Sequence, residues 1–276
     1  MDSREKIHSL EINVALACNL KCEYCSHLGR FMKGILSWEE IELWYQSWNQ
    51  KILPGCVRIL GGEPLLHPDL ERILRETKEY WPDSRMELVT NGLLLHKSSP
   101  ELLSLIQDIS CQVKVTKHFD DPGYNKLFDR GIAVLRQYAI EPAVEQSHLR
   151  WRKCYQIDPE DNAKPFQSDP QKAWENCFIK NFCTTLFDNK LYRCSILGCF
   201  AYARQKGFVL ESWNVALEYQ PLSHHCSRED IRAMMNQGAC TQCSICPEKH
   251  EYATPYEKMN PFGLPILQTA FSGKSS

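Results

Sequence analysis

The chain has 276 residues, 43% of them hydrophobic and 24% charged, which suits one large globular domain or one with a smaller appendage. A net charge of -2 gives no support to a nucleic-acid partner or an acidic membrane surface. No run approaches the ~18 apolar residues of a membrane span, and Met1–Lys6 carries no apolar signal segment, so a cytoplasmic location is expected.

Leu10 to Ala17 alternates apolar and polar residues and reads as a strand. It delivers Cys18, Cys22 and Cys25, three thiols within eight residues. Ser37-Trp-Glu-Glu40 has the spacing of a capping box, so a helix follows with Ile41, Trp44, Tyr45 and Trp48 on its core side. Val57–Leu60 is a short apolar strand that ends in Gly61-Gly62-Glu63-Pro64. Pro68 opens the next helix, and Met86–Thr90 is a strand closed by Asn91-Gly92.

Ser99-Pro100 starts a helix through Ile106, Cys111–Thr116 is a β-branched strand, Asp121–Tyr138 is helical, and Pro142–Gln146 is a short strand. Strands alternating with helices predict parallel βα units, either a barrel or an open sheet, with the ligand face at the carboxyl ends of the strands. The cysteine loop, Gly61–Pro64 and Thr90–Gly92 all fall at such ends. From Trp151 to Pro170 the pattern gives way to a linker or irregular crossing. Thr184–Phe187 and Leu191–Arg193 flank Asp188-Asn189-Lys190 as a hairpin, and Ser227–Asp230 caps a helix that stops at Gly238. The last residues are expected to be disordered.

Fourteen cysteines in such a chain are better explained by metal than by disulfides. Three stand in the first motif and eight between Cys177 and Cys246, which suggests two metal-bearing regions. For the first, thiolates holding an iron–sulfur cluster compete with a Cys3His zinc site that would include His27. A four-iron cluster held by three protein thiolates keeps one iron open for a small molecule.

The first cysteine motif and the downstream strand ending in Gly-Gly-Glu-Pro together resemble the radical S-adenosylmethionine (SAM) superfamily, over roughly residues 10 to 147. The resemblance implies a partial (β/α)6 TIM-like barrel, with Cys18, Cys22 and Cys25 as ligands of a 4Fe-4S cluster that binds SAM and cleaves it to a 5′-deoxyadenosyl radical. Gly61 and Gly62 would let backbone approach the cofactor, Glu63 would accept from its ammonium group, and Tyr24 would lie near the adenine. Thr90, Asn91 and Thr116 are candidates for ribose or substrate contacts, each set against an ordinary turn or strand role.

The cysteines further on extend the resemblance. Cys177, Asn189 and Cys194 are similar to the opening motif of the SPASM and twitch auxiliary-cluster domains, with Asn189 where those carry glycine. Cys240 and Cys243 complete four ligands, which implies one auxiliary 4Fe-4S cluster in a small cysteine-rich α+β domain. Cys240-x-x-Cys243-x-x-Cys246-Pro247 is also similar to a ferredoxin half-motif, which makes Cys246 an alternative for one of the four. Cys183, Cys199 and Cys226 have no assigned role.

The expected organisation is a radical SAM core over 1–148, a linker over 149–176, an auxiliary-cluster domain over 177–250 and a tail over 251–276. The implied function is hydrogen abstraction from a small molecule or peptide, with the auxiliary cluster taking or relaying an electron and a flavodoxin or ferredoxin as donor. The alternatives are a peptide cross-linking maturase, an epimerase with a cysteine hydrogen donor among Cys183, Cys199, Cys226 and Cys246, and a zinc-stabilised binding module. His67 is read as a helix-terminus residue and His224-His225 as loop. His118 is a candidate to face substrate, set against a structural hydrogen bond, and Trp151-Arg152-Lys153 a candidate clamp for an anionic substrate, set against a solvated face.

Overall fold

The computed structural model describes residues 3–29, 32–159, 162–180, 182–205 and 211–253. β1 (Leu10–Ala15) leads through the cysteine loop to α1 (Trp38–Trp48). β2 (Cys56–Gly61) leads to α2 (Leu70–Tyr80), β3 (Arg85–Thr90) to α3 (Pro100–Asp108), and β4 (Gln112–Thr116) to α4 (Pro122–Gln137) and β5 (Ala143–Glu145). The caps read from sequence are present: Ser37 Oγ accepts from the Glu40 N–H at 3.3 Å while the Glu40 carboxylate accepts from the Ser37 N–H at 2.9 Å.

These five strands are parallel and lie side by side in sequence order. Right-handed crossovers between neighbours taken in one direction put all the connecting helices on one face. That face holds Leu10, Ile12, Val57, Ile59, Leu88, Val113 and Val115, every one of them fully buried. Against it pack the stripe Ile41, Trp44, Tyr45 and Trp48 of α1 and the buried sides of α2, α3 and α4. The Tyr45 hydroxyl and Thr77 Oγ1 meet at 2.7 Å, joining α1 to α2 in the core.

The opposite face carries charge. Glu11, Arg58 and Glu87 stand in register on β1, β2 and β3. Arg58 Nε meets Glu87 Oε2 at 2.8 Å, Arg58 Nη1 meets Glu11 Oε1 at 3.5 Å, and Lys114 Nζ of β4 meets Glu87 Oε2 at 3.0 Å.

The expected six-stranded parallel array is reached by an unexpected route. Five strands come from residues 10–145, and the sixth is β6 (Thr185–Phe187), which pairs parallel to the free edge of β1. It follows the short helix α5 (Pro170–Glu175). β6 turns back as the predicted hairpin into β7 (Lys190–Tyr192), and β8 (Leu222–Ser223) closes an eight-stranded mixed sheet in the order β8-β7-β6-β1-β2-β3-β4-β5. Asp188 and Asn189 have φ of 50° and 52°, the doubly left-handed turn that two-residue hairpins favour, so Asn189 serves where glycine is usual.

Helix α6 (Ser195–Gln205) was not legible in the sequence. Its residues Ile196, Leu197, Cys199, Phe200, Tyr202 and Ala203 are all buried, so it lacks the one-sided period of a surface helix. α7 (Arg228–Asn236) carries the predicted capping box between Ser227 and Asp230. The 149–176 crossing contains two short antiparallel pairings. Gln156–Ile157 meets Ala163–Lys164, and Trp151–Arg152 meets Tyr252–Ala253. The rest of the expected tail, from 254 on, lies outside the described residues. Among the described residues no helix is long and apolar enough to cross a membrane.

Candidate active site

The cysteine loop, Gly61–Pro64 and Thr90–Gly92 follow the carboxyl ends of three adjacent strands and therefore share one rim of the sheet. The Leu16 and Ala17 N–H groups both donate to the Gly34 carbonyl, at 3.0 and 2.9 Å, and fold the loop back on itself. Tyr24 and Leu28 take left-handed φ of 56° and 55°. The Leu28 N–H donates to the Cys25 carbonyl at 2.9 Å.

This wrapping brings Cys18 and Cys25 to either side of Gly29. A Cβ there would lie 3.5 Å from Cys25 Sγ and 3.6 Å from Cys18 Cβ. Burial pushes the Cys18 thiol up to about 12 and raises Cys22 and Cys25 as well, and the neighbouring cysteines add to the shift at Cys18 and Cys22. Three partly desolvated thiols on one short loop fit a cluster held by thiolates, whose binding would release their protons. Among the described residues no three His, Cys, Asp or Glu side chains converge as on a single ion. The thiolates of a four-iron cluster each hold a different iron and need no such point. His27 Nε2 is buried beside this loop without a partner.

Gly61 and Gly62 bring backbone close, but to the protein's own chain. A Cβ at Gly61 would overlap the Ala15 carbonyl oxygen and one at Gly62 the Ala17 carbonyl oxygen. In return the Gly62 N–H donates to Ala15 O at 2.6 Å and the Glu63 N–H to Ala17 O at 2.9 Å, which locks the end of β2 to the start of the cysteine loop.

Glu63 is 0% exposed. Its Oε1 accepts from Thr90 Oγ1 at 2.7 Å and from the Leu65 N–H at 3.1 Å, and its Oε2 accepts from the Asn91 N–H at 2.9 Å. Burial raises its pKa to about 7, with those donors pulling the other way. Asn91 reaches back to the cysteine loop, its Nδ2 donating to Asn19 Oδ1 at 2.7 Å with Cys18 Sγ at 3.8 Å. Asn19 is a contact that sequence reasoning missed. Thr116 is half-buried at the same rim, in register with Glu145.

A second group of residues faces the rim from the crossing segment. Lys153 Nζ lies 5.2 Å from the centroid of the Tyr24 ring, and Tyr24 and Tyr155 have centroids 5.8 Å apart. Trp151 lies two residues before Lys153 in the same segment. Its ring is 5.0 Å from that of His118, and Trp151 Nε1 and His118 Nδ1 are both buried without partners. Burial lowers His118 to about 4, so it is neutral at pH 7. His67, by contrast, is spent on structure, with Nε2 on the Leu36 carbonyl at 2.8 Å and Nδ1 accepting from the Asp69 N–H at 3.0 Å.

The carboxyl-terminal thiols gather at a separate place. Cys177, Cys183, Cys194, Cys240, Cys243 and Cys246 line one cavity between α5, the head of α6 and the turn at Thr241–Ile245. The four residues that the resemblance implied thus share one cavity, and Cys183 and Cys246 line it with them. Cys240 Sγ and Cys243 Sγ are 3.6 Å apart. Cys194 precedes α6, where a bond from the Cys183 thiol and the N–H groups of Ile196 and Leu197 lower its pKa. Cys226 lies elsewhere, its carbonyl accepting from Lys51 Nζ at 3.0 Å.

Residues 12–134 match the family model of the Radical SAM superfamily. The GTP 3′,8-cyclase of Aliarcobacter butzleri is 34% identical over 103 residues, which cover 35% of this chain and 31% of that protein. The probable GTP 3′,8-cyclase of Methanococcus aeolicus is 32% identical over 143 residues, covering 51% of this chain and 47% of that protein. The chain thus spans less than half the length of these curated relatives. The crystal structure of BtrN in complex with AdoMet and 2-DOIA is similar in fold, with a TM-score of 0.51 and 14% identity over 90% of this chain and 98% of that one. With its three thiols at the rim of a parallel sheet and its sequence matched across the strands that build that rim, this chain carries a radical SAM domain over residues 12–134.

Proposed function

We propose that this chain is a radical SAM oxidoreductase with one auxiliary iron–sulfur cluster, acting on a small polar molecule. The observation that carries the reading is the pair of thiol groups: Cys18, Cys22 and Cys25 at the rim, and six more lining one cavity beyond α5. Three thiolates leave one iron of a four-iron cluster open, and four close it, so the two groups divide naturally into a reactive and an electron-relaying site. Cys18, Cys22 and Cys25 would hold the cluster that, with SAM and one electron from a donor, would supply hydrogen-atom abstraction from the substrate. The carboxyl-terminal thiols would hold a cluster able to accept the electron the substrate radical gives up.

The protein's own part is positioning. Asn91 and Asn19 hold the cysteine loop against the end of β3, and Glu63 holds β2 and β3 at fixed separation. Lys153 Nζ lies 5.2 Å from the Tyr24 ring, which supports a role for the pair in packing against the cofactor and bringing positive charge to the rim. Two adjacent buried ring nitrogens, on His118 and Trp151, call for polar partners from a ligand. That need favours a hydroxyl- or carboxylate-bearing small molecule over an apolar peptide side chain. A flavodoxin or ferredoxin is the class of donor that would reduce the first cluster.

The test is the iron and zinc content of the chain after anaerobic reconstitution, with and without Cys18, Cys22 and Cys25. About eight irons falling to about four is expected. About four falling to none, with zinc retained, would remove the auxiliary electron path.

A further inference from the structure

The carboxyl-terminal cavity holds more thiols than one four-iron cluster uses, and the backbone shows how three of them are presented. Thr241–Ile245 is a 3-10 helix, with Cys240 just before it and Cys246 just after. The Cys243 N–H donates to the Cys240 carbonyl at 2.9 Å and the Cys246 N–H to the Cys243 carbonyl at 3.1 Å, two successive three-residue closures. A 3-10 helix has three residues per turn, so side chains three apart eclipse. Cys240, Cys243 and Cys246 therefore stand in line on one edge, roughly 6 Å of helix rise between successive positions. On an α-helix the third would be rotated away by about 120°. All three line the cavity, facing Cys177 and Cys194 across it.

We infer that Cys246 is a ligand of the auxiliary cluster, presented with Cys240 and Cys243 by this single turn. The inference rests on the auxiliary-cluster reading proposed above and chooses within its ligand set, for which the resemblance implied Cys177, Cys194, Cys240 and Cys243 with Cys246 as an alternative for one of them. The position of Cys246 supports the choice. It lines the same cavity as Cys177, Cys194, Cys240 and Cys243, so it lies within the group rather than apart from it. Cys183 also lines the cavity, but it stands on the segment leading into β6 rather than on this turn. One of Cys177 and Cys194 is then dispensable for holding the cluster.

The experiment uses the full chain with Cys18, Cys22 and Cys25 all changed to Ala, so that only the auxiliary cluster forms. Iron, sulfide and zinc are counted, and the reduced cluster is examined by electron paramagnetic resonance. If this parent holds no cluster, the auxiliary reading itself fails, and the inference with it. If the parent holds about four irons, Cys246→Ala is expected to lose most of them, while Cys183→Ala keeps them. Cys246→Ser, close in size, guards against simple misfolding: it should keep the far-ultraviolet circular dichroism of the parent and change the spectrum of any remaining cluster. Full iron content with an unchanged spectrum in both Cys246 variants would overturn the assignment.

Discussion

Glu63 Oε2 accepts the backbone N–H of Asn91 at 2.9 Å, so a carboxylate from the end of β2 fixes the first residue beyond β3. With Thr90 and Leu65 donating to the other oxygen, one buried side chain ties together the turn after β2 and the rim position from which Asn91 reaches the cysteine loop. In Glu63→Gln one acceptor becomes a donor facing a donor. The expected cost is about 1–3 kcal/mol of stability, with weaker SAM binding and the three-thiol cluster retained. Urea unfolding and a SAM titration check both; an unchanged midpoint would show that the clasp is not needed.

Gly62→Ala tests the other side of the same junction. The new methyl group would meet the Ala17 carbonyl, which is backbone and cannot swing away. The end of β2 must then part from the cysteine loop, breaking the Gly62 and Glu63 N–H bonds to Ala15 and Ala17. Reduced iron at the first site, with the carboxyl-terminal site still filled, is the expected outcome. A normal iron content at both sites would mean that the loop does not depend on this contact.

Much of this geometry was legible in the sequence because it is local. The capping residues Ser37 and Ser227, the stripe of α1, the Asp188-Asn189 turn and the strand ends are each set by a few neighbouring residues. The route of β6 was not legible, since pairing with β1 joins residues far apart in the chain and no local signal says which edge is free. Helix α6 escaped because burial on every side erases its period. The role of Gly61 and Gly62 was read as room for a ligand, whereas the crowding comes from Ala15 and Ala17. The charged row was in plain view as Glu11, Arg58, Glu87 and Lys114 at alternate strand positions. A sheet buried by helices on both faces would be apolar there, so those charges already indicated that the connecting helices cover only the other face.

Arg58 holds that row together, and its removal leaves Glu11 and Glu87 with less compensation. Burial alone would raise Glu87, but its bonds to Arg58 and Lys114 outweigh that and keep it below the ordinary carboxyl value. Arg58→Ala is expected to destabilise the fold by roughly 3–5 kcal/mol, the scale of breaking a buried pair from one side. Adding Glu87→Gln should recover part of the loss. A double variant no more stable than Arg58→Ala would show that the cost comes from lost packing rather than from the unpaired charge.

Glu11 and His118 make opposite demands on pH. Burial, partly offset by Arg58, raises Glu11 from 4.5 to about 7. Between those values the folded chain holds a proton that the unfolded chain has released, so this contribution to stability falls as pH rises. Burial lowers His118 from 6.5 to about 4. Over that range the unfolded chain binds a proton that the folded chain refuses, so this contribution grows as pH rises. Glu63, raised to about 7, adds to the first slope, and His27, lowered to about 4, adds to the second. The two slopes oppose each other where the windows overlap, and the parent's stability is expected to vary little there. Glu11→Gln removes part of the falling slope, so stability should then climb with pH. His118→Gln removes part of the rising slope, and stability should decline. Urea midpoints at matched cluster content, taken at three pH values within the overlap, decide the matter. Two variants tilting in the same direction would mean that one of these side chains titrates in the folded protein much as it does in water.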